Sequence, residues 1–368
     1  CQECQISWYP KVEQFINNGP QRDLCKDCFW PAEKMFKSQN FKVHKYGQYL
    51  SDDDIEKSKI TSESIEFDEI RNFQLDNIAI GEHAYAGTLR FYAVGTLEKN
   101  KNTEKVLRRY LQASLLTVNA MNKLLSLNQY ESVFFNHGIY VPQGLIGEVC
   151  RKKEVSIVNW NPGYKKKTFI FSHNNTYHHT MMNEKIENWA SIEWNDKIEN
   201  ELMTYLNSRW HGTQDWIWFH HNPKFDLEDI SKKTGIDFNK PCIGALTSVM
   251  WDAVLHYPSN AFSNMIEWID HTIKYYIDKP DLQLIIRVHP AEIRGTLPSN
   301  QKMCEEISKR YPSLPKNIFI IPPESDISTY ALMMQCNSVI IYNTKMGVEL
   351  SAMGIPVIVA GEAWIKNK

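Results

Sequence analysis

The sequence has no surplus of either charge. Its 368 residues carry 41 Lys and Arg against 43 Asp and Glu, a formal net charge of −2. Proteins that hold nucleic acid through its phosphates show a basic excess, so a nucleic-acid partner is not expected. No apolar run approaches the roughly 18–20 residues needed to span a bilayer. A charged-then-apolar leader of the secretory kind is missing as well. Neither G-x-G-x-x-G nor a P-loop occurs, which leaves a classical dinucleotide site or ATPase unsupported. Internal repeats and low-complexity tracts are also missing, so repeat arrays and biased linkers are not indicated. The chain opens on Cys1 rather than Met and stops at Lys368 just after an expected strand, and is read as a fragment.

Length suffices for two ordinary domains. Cysteine is unevenly used. Cys1, Cys4, Cys25 and Cys28 form C-x2-C-x20-C-x2-C, two thiol pairs that can close a tetrahedral zinc site. Two structural disulfides, an iron–sulfur cluster or four unrelated thiols are the alternatives. Cys150, Cys242, Cys304 and Cys336 stand alone, as buried thiols of a reducing compartment do. Residues 1–40 are therefore read as a small Cys-rich module stapled by zinc.

Residues 41–221 alternate strand and helix patterns, the signature of a Rossmann-like domain. Ser51 to Asp54 reads as a solvated loop in preference to a helix start. Asn77–Ile80 reads as a strand, Asn102–Asn128 as a long helix, and Glu131–Phe135 as a strand. A helix follows from about Gln143 to Arg151, then strands at Glu154–Val158 and Thr168–Phe171. Asn136-His137-Gly138 stands at a strand's C-terminal end, where such sheets carry function. His137 there is a candidate base or anion ligand; a loop imidazole bonded to backbone fits equally well. His173, Asn174, Asn175, His178 and His179 suggest a polar pocket wall or an ordinary polar loop. Trp210, Trp216 and Trp218 beside His220 and His221 fit a sugar-stacking face, though core packing is the commoner use of Trp. Residues 222–241 have weak periodicity and are placed as the linker.

Residues 242–368 are clearer. Strands are expected at Cys242–Leu246, Leu282–Val288, Asn317–Ile321, Ser338–Tyr342 and Pro356–Ala360, with helices between them. That alternation, on short connections, is a doubly wound parallel sheet. Its most informative stretch is Ser338–Gly361, a minimal β-α-β unit. Thr344 is a good N-cap, and the helix amides beside Thr344 and Lys345 favour phosphate. Glu349 lies one turn on, roughly 6 Å along the axis, within reach of a ribose diol. A surface Lys-Glu pair at i, i+4 would give the same spacing. Pro290 biases His289 to an extended conformation at the sheet edge. Thr247-Ser248 and Pro322–Ser325 end two further strands. Together these loops outline a nucleotide crevice.

The order of these motifs resembles the capsule polysaccharide biosynthesis proteins. The likeness is carried by Arg287-Val288-His289-Pro290-Ala291-Glu292, by Ser325 to Tyr330, by Tyr342 to Glu349 running on to Gly361, and by Thr247 to Asp252. It is firm over about residues 240–368, and Asn136-His137-Gly138 extends it more weakly. The resemblance implies a GT-B glycosyltransferase, with two Rossmann-like domains facing a cleft and the donor nucleotide on the second. Some relatives are Kdo transferases, and bacterial sialyltransferases and teichoic-acid polymerases use a similar His-Pro element with a cytidine nucleotide. Carried over, His289 contacts donor phosphate and Glu349 the ribose, while Thr344 and Lys345 line the phosphate site. Thr247, Glu292 and Ser325 complete the implied donor site. Many relatives have Ser-Thr where this chain has Thr344-Lys345, and the added cation suits a diphosphate-linked donor.

The expected activity is transfer of a sugar from a nucleotide-sugar to a growing surface polysaccharide or lipid-linked glycan. It would take place in the cytoplasm, with peripheral association at the inner membrane left open. His137 or a nearby carboxylate would act as base, and His289, Lys345 and the amides at Thr344 would stabilise the leaving phosphate without a catalytic metal. CDP-alcohol phosphotransfer, sugar-nucleotide epimerisation and a non-catalytic scaffold of a polysaccharide assembly complex are the alternatives. The cysteine spacing makes its own prediction. Elemental analysis of the purified chain should find about one zinc per molecule, lost in a Cys25→Ser/Cys28→Ser double variant; full retention of the metal by that variant would refute the site.

Overall fold

The computed structural model describes residues 29–368 other than 220, 221, 256 and 258. The four cysteines expected to hold zinc, Cys1, Cys4, Cys25 and Cys28, lie outside the described residues, as do His220 and His221. Two compact units emerge: residues 29–92, 96–160 and 171–176, and residues 93–95, 161–170 and 177–368. Among the described residues no helix is long and apolar enough to cross a membrane.

The first unit is rich in helix: α1 Phe29–Ser38, α2 Asp52–Ser64, α3 Ile80–Tyr92, α4 Lys101–Leu127 and α5 Gln143–Lys152. Strands β1 Ser132–Asn136, β2 Ser156–Pro162 and β3 Phe169–His173 form a sheet in the order β1-β2-β3, with β1 and β2 parallel. The long helix α4 buries Val106, Leu111, Leu115, Val118 and Met121, the stripe that its 3.6-residue period marks. Two expectations fail here. Ser51 to Asp54 is a helix start: the Ser51 hydroxyl accepts from the Asp54 amide at 3.2 Å, and the Asp54 carboxylate accepts from the Ser51 amide at 2.9 Å. That reciprocal capping box satisfies two orphan donors of α2. Asn77–Ile80 is not a strand, because Asp76 and Asn77 turn the chain at φ 54° and 62° and Ile80 begins α3. Asp and Asn tolerate the left-handed region that breaks an extended run.

The second unit holds α6 Tyr177–Asn183, α7 Asp196–Arg209, α8 Leu227–Thr234, β4 Cys242–Leu246, α9 Met265–Ile277, β5 Gln283–Arg287, α10 Ala291–Arg294, α11 Met303–Arg310, β6 Ile318–Ile321, α12 Thr329–Met333, β7 Ser338–Ile341, α13 Met346–Ala352 and β8 Val357–Val359. All five strands are parallel, in the order β6-β5-β4-β7-β8. Period-two alternation sorts their side chains. Leu284, Ile286 and Val288 pack with α9 and α11, whereas Ile285 joins Leu332 and Leu350 on the other face. Helices cover both faces, so the strands read as continuous apolar runs, as parallel sheets require. The strand order reverses between β4 and β7, which opens a crevice at their C-terminal ends.

The units divide differently from the expected 41–221, linker 222–241 and 242–368. Residues 222–241 contain α8, capped by Asp226, whose side chain accepts from the Asp229 amide at 2.9 Å, and stopped by Gly235 at φ 81°. Its Ile230, with Ile236 beyond it, is buried on the sheet, so the stretch is structural and not a connector. Residues 177–221 also belong to the second unit. Trp210 stacks between Phe225 and Tyr330, at centroid distances of 6.0 and 5.4 Å, and with Trp218 it also lines the cavity described below.

One buried amide fastens the crossover into β5. Asn317 Nδ2 donates to the carbonyls of Tyr276, Lys279 and Leu282, each at 3.0 Å. Asn317→Ala should cost about 2 kcal/mol in urea unfolding, the penalty of stranding buried acceptors. A change within error would show that water replaces the amide.

Candidate functional site

Three strand ends converge at the reversal point. At the end of β4, the Thr247 amide donates to the Arg287 carbonyl at 3.2 Å, and its hydroxyl accepts from the His289 amide at 3.0 Å. Ser248 and Asn343 hydrogen-bond by their side chains, tying the loops after β4 and β7 across the crevice. Arg287, the last residue of β5, points into the sheet. It donates to Thr329 Oγ1 at 3.3 Å and to the carbonyls of Ile321, Pro322 and Ser325, so it fastens the loop after β6. Burial lowers its pKa to about 10, and it remains a cation at neutral pH.

His289 follows that strand directly. Its Nδ1 accepts from the Ala291 amide at 3.0 Å, which leaves the proton of a neutral ring on Nε2. Burial, with the Arg287 charge, holds its pKa down at about 4. At neutral pH it is therefore an uncharged N–H donor.

Beside it lies a buried ion cluster. Glu349 Oε1 accepts from Lys345 Nζ at 2.6 Å and from Arg209 Nε at 3.1 Å, and Oε2 from the Tyr330 hydroxyl. Arg209 Nη1 also pairs with Asp215, whose Oδ1 accepts from Tyr205 Oη at 2.9 Å. The ammonium of Lys345 sits 4.1 Å from the centre of the Tyr164 ring. Burial pulls Lys345 down to about 8, with Glu349 opposing it, so the ammonium persists at pH 7. Burial pushes Glu349 up, but Lys345 and Arg209 outweigh it, and its carboxyl titrates below the usual range. A surface ion pair contributes little; this one is enclosed, where loss of either partner strands a charge.

Lys345, Arg209, Tyr330 and Tyr164, with Arg287 and His289, line a cavity of about 350 Å³ within the second unit. Thr247, His289, Thr344 and Lys345 reach its wall, as their strand-end positions lead one to expect. Arg209, Tyr164, Tyr330, Asp252 and His178 reach it too, and of these Arg209 and Tyr164 carried no sequence signal. Glu349 is not on the wall. It stands behind Lys345 and Arg209 with both oxygens engaged, holding those cations in place. Glu292 and Ser325 are off the wall as well. Glu292 is 3 % exposed and accepts from the Met303 amide at 3.0 Å, whereas Ser325 caps the turn at Ile327 and holds Arg287 through its carbonyl. Thr344 is not the N-cap of α13; Lys345 occupies that position, and Thr344 Oγ1 accepts from the Met346 amide at 3.4 Å. His137 belongs to the first unit, in a left-handed turn at φ 66°, its amide donating to the Trp160 carbonyl at 3.0 Å. Among the described residues no group of three or more His, Cys, Asp or Glu is disposed to hold a metal ion.

Residues 249–367 match the family described as "Capsule polysaccharide biosynthesis protein". The resemblance read in the motifs after β4 is thus a family match over that part of the chain. No protein of curated function matches the sequence. Among solved structures, the chain is similar to KpsC of Thermosulfurimonas dismutans, titled a beta Kdo 2,4 transferase. That likeness has 9% identity and a TM-score of 0.42, over 64% of this chain and 70% of that one. The beta Kdo 2,7 transferase of the same organism's KpsC matches at 12% identity and TM-score 0.38, over 67% and 70%. A UDP co-structure of MnaA from S. aureus matches at 13% identity and TM-score 0.27, over 66% and 61%. Likenesses this loose say nothing of donor or acceptor.

Glu292 sets a pH dependence of its own. Burial raises its carboxyl to about 7, against an ordinary 4.5. The folded chain therefore holds a proton that the unfolded chain has lost between pH 4.5 and 7. Its contribution to stability is full below that window and falls as pH rises through it, by about 3 kcal/mol at most. Glu292→Gln should flatten that slope in unfolding curves from pH 4.5 to 8; an unchanged slope would assign it elsewhere.

Proposed function

We propose that the chain is a glycosyltransferase that moves a sugar from a nucleotide-sugar donor to a capsule-type polysaccharide or lipid-linked glycan. The observation that carries this reading is the cavity at the β4/β7 reversal, which brings neutral donors and the cations Arg209, Arg287 and Lys345 together inside the second unit, largely within the family-matched segment. Open α/β sheets bind ligands at that point. The wall supplies what a departing phosphate needs. His289 offers Nε2–H, Thr247 and Thr344 offer hydroxyls, and Lys345 and Arg209 offer fixed positive charge. Donors held in place before the charge develops lower the barrier without reorganising.

In this scheme the glycosidic bond to the leaving phosphate breaks as the acceptor hydroxyl attacks the anomeric carbon. The hydroxyl proton passes to a base, for which His137 is the candidate. The nucleotide leaves as an anion met by His289, Lys345 and Arg209. These groups neutralise it without a catalytic metal. The GT-B arrangement with acceptor on the first unit, a structural zinc at Cys1, Cys4, Cys25 and Cys28, and action at the cytoplasmic face of the inner membrane belong to the same proposal.

A thermal-shift panel with CMP, CDP, UDP, GDP and ADP tests it. A ligand present at about 100 times its Kd adds about 2.7 kcal/mol of apparent stability. One nucleotide class should raise the melting temperature, and His289→Ala should abolish that shift. A folded wild-type sample that responds to none of them would favour a non-catalytic scaffold.

A further inference from the structure

Arg209 is the one cation on the cavity wall that comes from outside residues 249–367, among the described residues. It ends α7, and two buried groups hold it: its Nε bonds Glu349 and its Nη1 bonds Asp215. The side chains of Asp215 and Glu349 are only 1% and 6% exposed, and neither reaches the cavity. Both carboxylates thus stand behind the guanidinium. A guanidinium has five N–H donors in a fixed fork, more than its bonds with Glu349, Asp215 and Tyr330 require, and Arg209 itself lines the cavity. Lys345 is arranged the same way against the same Glu349 oxygen. Two cations therefore sit side by side within 3.1 Å of one carboxylate atom, both facing the space in which a ligand would lie.

We propose that Arg209 is a specificity-determining residue that binds the second phosphate of a diphosphate-linked donor, with Asp215 and Tyr205 as its positioning residues. The inference rests on the donor-site reading above. A single phosphodiester carries one negative charge, which Lys345 and the neutral donors at Thr247, His289 and Thr344 already serve. Glu349 and Asp215 already offset the charges of Lys345 and Arg209, so what Arg209 adds beside Lys345 is a directional fork of donors, the geometry that a second phosphate fits. The resemblance to users of a cytidine nucleotide does not supply this feature, because α7 lies outside the matched segment. The ion pairs to Asp215 and Glu349 hold the fork before ligand arrives, so little ordering remains on binding.

Isothermal titration of the full chain with CMP against CDP, and UMP against UDP, at one ionic strength tests this. The wild type should prefer the diphosphate of the favoured base by about tenfold or more. Arg209→Lys keeps the charge and loses the fork; it should weaken diphosphate binding more than monophosphate binding and bring that ratio to within about threefold. Asp215→Asn leaves the guanidinium but removes its anchor, and should lower the ratio by a smaller factor. Circular dichroism and melting curves establish that each variant is folded, and where one is not, the other decides. An undiminished ratio in a folded variant overturns the proposal and leaves the donor site standing. A wild type that binds mono- and diphosphate equally does the same. A wild type that binds no nucleotide overturns the donor site and Arg209's role together.

Discussion

The Glu349 carboxylate is the group on which the site's geometry depends. An ionised carboxylate taken out of water loses hydration worth of order 20 kcal/mol in the idealised limit, and several kcal/mol after real relaxation. It stays charged only where cations and hydrogen bonds replace that hydration. Here Lys345, Arg209 and Tyr330 do so, from α13, the end of α7 and α12. Three segments far apart in sequence are thus required to meet at one oxygen pair. The same requirement makes the wall rigid. Neither cation can swing toward solvent without leaving a buried charge unpaired, so both are already aimed when a ligand enters.

The sheet supplies the second constraint. Because β4 sits at the centre of the order β6-β5-β4-β7-β8, the chain leaves β4 and β7 on opposite sides, and the loops there must splay. Thr247 converts that opening into a defined surface. Its hydroxyl holds the His289 amide, so the imidazole is fixed to the end of the neighbouring strand. Arg287 does the corresponding work beneath, spending its donors on carbonyls of the loop that leads to Tyr330. The cation nearest the motif's start is therefore a structural clasp, and it lines the cavity together with Lys345 and Arg209.

Much of this was legible in the chain itself, for identifiable reasons. The five strands of the second unit are short β-branched runs bounded by turn residues, and a strand buried on both faces leaves that signature. Thr247, His289, Thr344 and Lys345 were found because function in such a sheet gathers at strand ends. Helix α8 escaped because eight residues give little periodicity, although Asp226 and Gly235 marked both its ends. Arg209 escaped for a different reason. A basic residue in the last turn of a helix is ordinary dipole complementation, and nothing local reveals that its partner is 140 positions away. The Lys345–Glu349 spacing fits an i, i+4 pair as well as a ligand site, and periodicity says nothing of depth. Burial turned a marginal surface contact into the anchor of the wall.

The protonation states divide the chemistry among these groups. For His289 to accept a proton from the cavity, Nε2 would need its lone pair, and the ring hydrogen would move to Nδ1. That would set two N–H groups against each other, because Nδ1 already receives the Ala291 amide. Burial and the Arg287 charge oppose the alternative, a doubly protonated ring, which is why its pKa falls to about 4. His289 is thereby confined to donating a hydrogen bond, the role that a leaving phosphate calls for and an attacking hydroxyl does not. Positive charge comes instead from Lys345, still protonated at neutral pH with a pKa of about 8, and from Arg209, whose pKa is raised despite burial by Glu349 and the neighbouring tyrosines. On the proposed reading, a proton acceptor for an acceptor hydroxyl must then lie apart from His289, because one backbone hydrogen bond from Ala291 keeps that imidazole a donor.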